Sequence, residues 1–138
     1  MNELEAIDIF GFPPRIDALV SIRRELRSAS DRETVSQGTG DTELMRVLCA
    51  QLFAIGSLDD VFLIWGAKQS SMDAAASIDV QLLCGAGLEE TRKFLVQSLA
   101  PQAAEALQWI DICKNSGDFD DFDPHGYLVY LMRYYLDE

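Results

Sequence analysis

Apolar residues recur at helical spacing along most of this chain, and this periodicity constrains its fold more than any other feature. Segment 41–56 is the clearest case, because its apolar residues follow one helical face up to a terminal glycine. These residues are Leu44, Val47, Leu48, Leu52 and Ile55. No segment combines sustained apolar–polar alternation with hairpin turns, so we find no β-sheet. The sequence therefore predicts an all-α fold of about seven helices.

The first 40 residues predict one helix and a connection. Residues 1–11 are mixed and are expected to be irregular, and Gly11-Phe12-Pro13-Pro14 marks a stop followed by a helix start. The apolar stripe of this helix is expected at Ile16, Leu19, Val20 and Leu26, with Arg23, Arg24 and Arg27 available to solvent. Segment 28–40 is polar, holds two glycines and lacks periodicity, which is typical of a long connection.

The remaining helices are separated by glycine and proline. Gly56 ends the helix of segment 41–56, and Ser57 caps the next one. A third helix is expected from Ser71 or Asp73 to Cys84, ending at 85–87. Later helices begin near Leu88, at Pro101 and at Asp123-Pro124, where aspartate serves as cap and proline as first helical residue.

A weak internal repeat suggests helical hairpins within one domain of residues 1–138. Segment 51–60 aligns with 81–90 at an offset of about 30 residues, as in repeat proteins with one hairpin per unit. The predicted hairpins are 42–68, 73–99 and 101–136. This loosely resembles tetratricopeptide or HEAT-type arrays, although the tetratricopeptide signature is absent. An irregular bundle is the alternative to a short solenoid-like array.

Charge narrows the classes of partner. The formal net charge is −12, of which residues 1–40 contribute −2 and residues 41–138 contribute −10. Such a surface repels phosphate backbones and anionic membranes, so we expect neither nucleic acid nor membrane as a partner. It attracts and steers a protein with a basic surface. The alternative is that acidity only keeps the protein soluble.

Several features favour a cytoplasmic protein. The start, Met1-Asn2-Glu3-Leu4-Glu5, is acidic, unlike a secretory signal. No apolar run approaches the roughly 18 residues of a membrane span. Cys49, Cys84 and Cys113 are far apart within apolar helical patterns, so we expect reduced, buried thiols.

No motif indicates catalysis, a metal or a cofactor, and we expect none of the three. His125 is the only histidine, and no phosphate-binding loop or nucleophile motif is present. An EF-hand loop counted from Asp118 would need suitable residues at loop positions 5, 6 and 12. Phe122, Asp123 and Val129 stand there instead.

The best candidate contact site is the segment between the last two predicted helices. It alternates acids with two phenylalanines that could anchor a partner: Asp118, Phe119, Asp120, Asp121 and Phe122. The alternative is that both phenylalanines fold onto the core and that Asp123 only caps the last helix. Tyr127, Tyr130 and Tyr134 follow at helical spacing, either as part of the core or as an exposed interface.

Asp79 and Asp111 form a second candidate. Each is expected mid-helix between apolar residues, where aspartate is unfavourable unless something compensates it. One interpretation is a row of carboxylates in a groove that receives basic side chains. The other is an internal ion pair, for instance with Arg46, Arg92 or Lys114, or plain exposure to solvent.

An acidic, small helical domain without a catalytic site resembles the immunity proteins that bacteria make against their own toxins. The segment Ser77–Thr91 is also similar to bacterial helical proteins of that group. The resemblance implies a one-to-one complex that blocks a basic toxin in the cytoplasm by covering its cleft. Two other functions remain open: an adaptor or chaperone that binds a peptide segment, and a metal-dependent enzyme built on scattered carboxylates.

Overall fold

The computed structural model describes residues 1–38 and 40–136, and it confirms the all-α prediction. Eight α-helices form within these residues, and no strand is found among them. The helices are α1 Glu3–Phe10, α2 Leu19–Val35, α3 Thr42–Ile55, α4 Val61–Lys68, α5 Met72–Ser77, α6 Leu88–Gln97, α7 Ala103–Asn115 and α8 Pro124–Leu136. Three 3-10 helices, Ile16–Ala18, Leu58–Asp60 and Val80–Cys84, join some of them.

Helix α3 forms the centre of the molecule. Every residue of this helix from Leu44 to Phe53 is buried, except Arg46. Its neighbours are α1, α2, α5, α8 and the 3-10 helix Val80–Cys84. Repeats in a solenoid touch only the adjacent repeats. A helix buried on all sides is instead the core of an irregular bundle. Helix α6 packs against α7 and against the 3-10 helix Val80–Cys84.

Residues 1–11, expected to be irregular, contain α1. Asn2 caps this helix, since its side-chain oxygen accepts the backbone N–H of Glu5 at 2.9 Å. Ala6 and Phe10 are buried against the body, and Gln51 on α3 donates to the backbone carbonyls of Ala6 and Gly11. The sequence offered only two signals for this helix, the cap residue Asn2 and the two buried positions Ala6 and Phe10. Two positions are too few to show a helical period.

The predicted connection 28–40 is also wrong, because α2 continues to Val35. Its buried stripe extends through Ala29 to Glu33, a charged residue that hydrophobic periodicity does not count. The fully buried Glu33 carboxylate accepts the Ser71 hydroxyl at 2.6 Å and the Gly38 N–H at 3.2 Å.

The stripe predicted at the start of α2 needs correction as well. Ile16 and Val20 are 73% and 65% exposed, whereas Ile22, which was not assigned to the stripe, is fully buried. Arg23, expected to face solvent, donates to both carboxylate oxygens of Asp60 at 2.8 and 3.0 Å. The helix is therefore rotated so that it buries Leu19, Ile22 and Leu26.

The helix predicted up to Cys84 breaks after Ser77. The ammonium of Lys68 donates to the carbonyls of Ala75 and Ile78, which stabilises the end of α5. A 3-10 helix, Val80–Cys84, follows with four of its five residues buried. Such a wide apolar surface does not fit one face of a longer α-helix.

Several predicted boundaries are confirmed. Gly56 ends α3 in the left-handed conformation, with φ of 75°, and Ser57 accepts the N–H of Asp59. Asp123 caps α8 through a 2.9 Å bond from the N–H of Gly126. The three cysteines are buried free thiols, as predicted.

Within the described residues, no helix combines the length and apolar character that crossing a bilayer would require.

Candidate partner-binding groove

The connection between α7 and α8 has a fixed shape. The side-chain amide of Gln81 donates to the carbonyl of Asp118 at 2.8 Å, and the N–H of Asp118 donates to the carbonyl of Cys113 at 3.0 Å. Gly117 and Asp121 take positive φ values of 94° and 58°, which turn the chain back on itself. Aspartate tolerates this conformation better than most residues. The segment therefore presents its side chains in defined directions.

The two phenylalanines of this segment differ in exposure. Phe119 is 6% exposed and belongs to the core, and its ring lies edge-on to Phe122 at 5.3 Å. This corrects the expectation that Phe119 is an exposed anchor, because burying its ring removes apolar area from water. Phe122 is only partly buried, and its ring packs against that of Phe53 with the two ring centroids 6.5 Å apart. Of the two predicted anchors, only Phe122 is therefore still partly accessible to a partner.

Phe122 lines a groove of about 380 Å³ between this connection and α8. We call it the acidic groove and define it by Asp118, Asp120, Asp121, Asp123, Phe122, Tyr127 and Tyr130. The rings of Phe122 and Tyr127 lie 5.8 Å apart, and those of Tyr127 and Tyr130 lie 5.5 Å apart. Three neighbouring aromatic rings, which we call the aromatic wall, thus line the same groove as four aspartates.

These four carboxylates are not neutralised by the protein. All four residues are exposed, and in the part of the chain that the structure describes none of them forms an ion pair with lysine or arginine. Asp123 is engaged as the cap of α8. Burial and then the negative charge of Asp118 raise the pKa of the Cys113 thiol. The groove therefore concentrates negative charge at its mouth.

Asp79 was predicted to lie in the middle of a helix. It instead directly precedes the 3-10 helix Val80–Cys84. Its Oδ2 accepts Arg46 Nη2 at 3.0 Å and the Tyr127 hydroxyl at 2.8 Å. Burial and then the negative charge of Asp79 raise the pKa of Tyr127 above its usual range. The same Arg46 donates to the hydroxyl of Tyr135, so the cluster ties α8 to α3. The structure thus favours the internal ion pair for Asp79.

Asp111 lies within α7, as predicted, and also forms an internal ion pair. Its Oδ1 accepts Arg92 Nε at 2.8 Å, and the same guanidinium reaches Glu89 at 3.1 Å. This joins α6 to α7 at the surface. Since its charge is already matched, Asp111 has less to offer a basic partner than the acidic groove has.

The sequence signals missed part of the groove. Tyr127 and Tyr130 were noted for their spacing, but the sequence could not show that they line one groove with the acids. Gln81 left no signal at all, since its role depends on where the 3-10 helix lies. Asp123 caps α8, as predicted, and also lines the groove.

Metal ligands do not cluster in the described residues, where no group of three His, Cys, Asp or Glu side chains is placed to hold an ion. The comparisons with known proteins were equally uninformative: no protein family, curated protein or solved structure matches this chain.

Proposed function

We propose that this chain is a non-catalytic binding protein of the cytoplasm, which binds a basic protein partner through the acidic groove. The observation that carries the proposal is a groove that combines four exposed carboxylates, none with an ion pair in the described residues, with three aromatic rings, of which Tyr130 is the most exposed. Like-signed charges held together on one surface attract cations and speed encounter with a basic protein.

The aromatic wall adds what acids alone lack. Tyr130 is 51% exposed, and Phe122 and Tyr127 are partly buried behind it. Aromatic rings bury large areas at interfaces and attract lysine and arginine over their faces. A basic side chain that enters the groove would have both aromatic rings and carboxylates within the same lining.

We propose further that the partner is a toxin and that the chain acts as its immunity protein. The support is the net charge of −12, the resemblance of a small acidic helical domain without a catalytic site to bacterial immunity proteins, and the similarity of segment Ser77–Thr91 to bacterial helical proteins of that neighbourhood. The acidic groove would cover the toxin's basic substrate cleft, as a competitor for an anionic substrate such as nucleic acid. No residue of this chain would need to react.

The partner can be sought by a tagged pull-down from the native host at low and high salt, with mass spectrometry of the bound proteins. The proposal predicts one stoichiometric basic protein, encoded nearby, toxic when expressed alone and released by salt, because screening weakens exposed charge pairs. A set of substoichiometric partners would contradict the immunity function and favour an adaptor.

The groove itself is tested by the double variant Asp120→Asn and Asp121→Asn. Asparagine preserves shape and also tolerates the positive φ at Asp121. We expect affinity for the basic partner to fall about tenfold, mainly through slower association. The matched control, Asp8→Asn with Asp31→Asn, removes two charges from exposed sites on α1 and α2 and should change affinity little.

A further inference from the structure

A second groove lies on another part of the surface, between α7 and the helices α4 and α5. Its volume is about 470 Å³, and Trp65, Ala75, Trp109 and Ile112 line it. Trp65 is buried at its base, whereas Trp109 and Ile112, three residues apart on α7, are 40% and 47% exposed. Neighbouring exposed apolar side chains of this size mark a contact surface more often than an isolated one does.

A protruding apolar side chain stands next to this groove. Met72 is the first residue of α5 and is 87% exposed. It precedes the groove residue Ala75 by three positions, so the two side chains lie on the same side of the helix. The surface therefore carries both a projecting group and an apolar recess that could receive one.

The lining of this groove carries less net charge than the chain as a whole. One acid and one base line the groove, Glu105 and Lys68, so its formal charge is zero in a chain of charge −12. The ammonium of Lys68 is already bound to backbone carbonyls. Gln69 and Gln108 at the groove both donate and accept hydrogen bonds, so either can pair with its own copy.

We propose that this neutral groove binds a second copy of the chain across a two-fold axis. Identical surfaces meet in such an interface, so each must be complementary to itself. The groove lining has no net charge and therefore adds little repulsion of its own between two acidic copies. Met72 of each copy would enter the groove of the other and contact Trp109 through its thioether, a favourable sulfur–aromatic contact. The acidic groove plays no part in this inference.

Sedimentation velocity of the purified protein over a range of concentrations tests the proposal. We expect a reversible monomer–dimer equilibrium that added salt strengthens, because salt screens the repulsion between acidic copies. Trp109 is 40% exposed at this groove, so its fluorescence should shift to the blue as dimer forms, whereas the already buried Trp65 should change little.

Met72→Glu and Ile112→Glu should each raise the dimer dissociation constant about tenfold or more, since both place a charge in an apolar contact. Val20→Glu is the matched control, because it adds the same charge at an exposed apolar site on α2. A chain that stays monomeric at every concentration would overturn the proposal. So would a dimer that tolerates both groove variants, or one that Val20→Glu weakens equally.

Discussion

At the scale of single residues, the carboxylates of this chain divide by whether an arginine reaches them. Three aspartates each form an ion pair with an arginine of another helix, and each pair joins two elements. They are Asp60, Asp79 and Asp111. The four aspartates of the acidic groove have no such partner in the described residues. Composition shows the number of charges, but only the fold shows which remain available for binding.

The pair formed by Arg23 and Asp60 should respond unequally to loss of either partner. The Asp60 side chain is 4% exposed, whereas that of Arg23 is 29% exposed. Arg23→Met leaves a buried carboxylate unpaired and should lower the free energy of unfolding by about 3 kcal/mol. Asp60→Asn leaves an arginine that can reach water and should cost about 1 kcal/mol. Urea unfolding of both variants measures the difference, and equal losses would contradict this account.

Two tyrosines of α8 predict weaker folding in alkali. Burial raises the pKa of Tyr135 to about 12, and burial and Asp79 raise that of Tyr127 further. A raised pKa stabilises the folded state below the unfolded value near 10 and loses that effect as pH rises through the folded value. The free energy of unfolding should therefore fall above pH 10.

Tyr127→Phe provides the control for this pH dependence. It removes one of the two groups, so unfolding free energy measured from pH 9 to 12 should fall less steeply than in the parent. An unchanged slope in the variant would show that Tyr127 does not carry the effect.

At the scale of elements, the close approach of two chain segments depends on glycine. A Cβ atom on Gly85 would lie 2.6 Å from the carbonyl oxygen of Phe53 and 3.1 Å from the Cα of Gly56. These are backbone atoms that cannot rotate away. The turn after the 3-10 helix Val80–Cys84 can therefore pack on the end of α3 only without a side chain.

Gly85→Ala should destabilise the protein by about 2 kcal/mol, the scale of an overpacked core. Gly66→Ala is the matched control, since Gly66 lies inside α4 and its Cβ would meet nothing within 4 Å. Alanine there should stabilise the helix by about 0.5 to 1 kcal/mol. Thermal unfolding of the two variants should shift in opposite directions, and a parallel shift would refute this packing argument.

Helices with both a strong apolar stripe and a clear end were predictable from sequence. The end of α3 and the start of α8 lie near the predicted residues, because Gly56 and Asp123-Pro124 act locally. The length of α2 was not predictable, since its last buried position is Glu33 and its partner Ser71 lies 38 residues away. The break after α5 depends on Lys68, again on another helix.

At the scale of the whole molecule, periodicity predicts the fold class but not the arrangement. All-α architecture follows from helical spacing throughout, whereas the choice between array and bundle depends on how many sides of α3 are covered. The candidate site was predicted in the same partial way. Asp118, Asp120, Asp121 and Phe122 line one groove, but Phe119, Asp79 and Asp111 serve internal contacts.

The central claim is that the acidic groove binds a basic partner, and its most direct test compares affinities for the co-purified protein. Calorimetry would use the parent chain, the Asp120→Asn and Asp121→Asn variant, and the Asp8→Asn and Asp31→Asn control. We predict that only the groove variant binds the partner about tenfold more weakly than the parent chain, and that its affinity depends less on salt. Equal affinity of all three chains would show that the partner binds elsewhere.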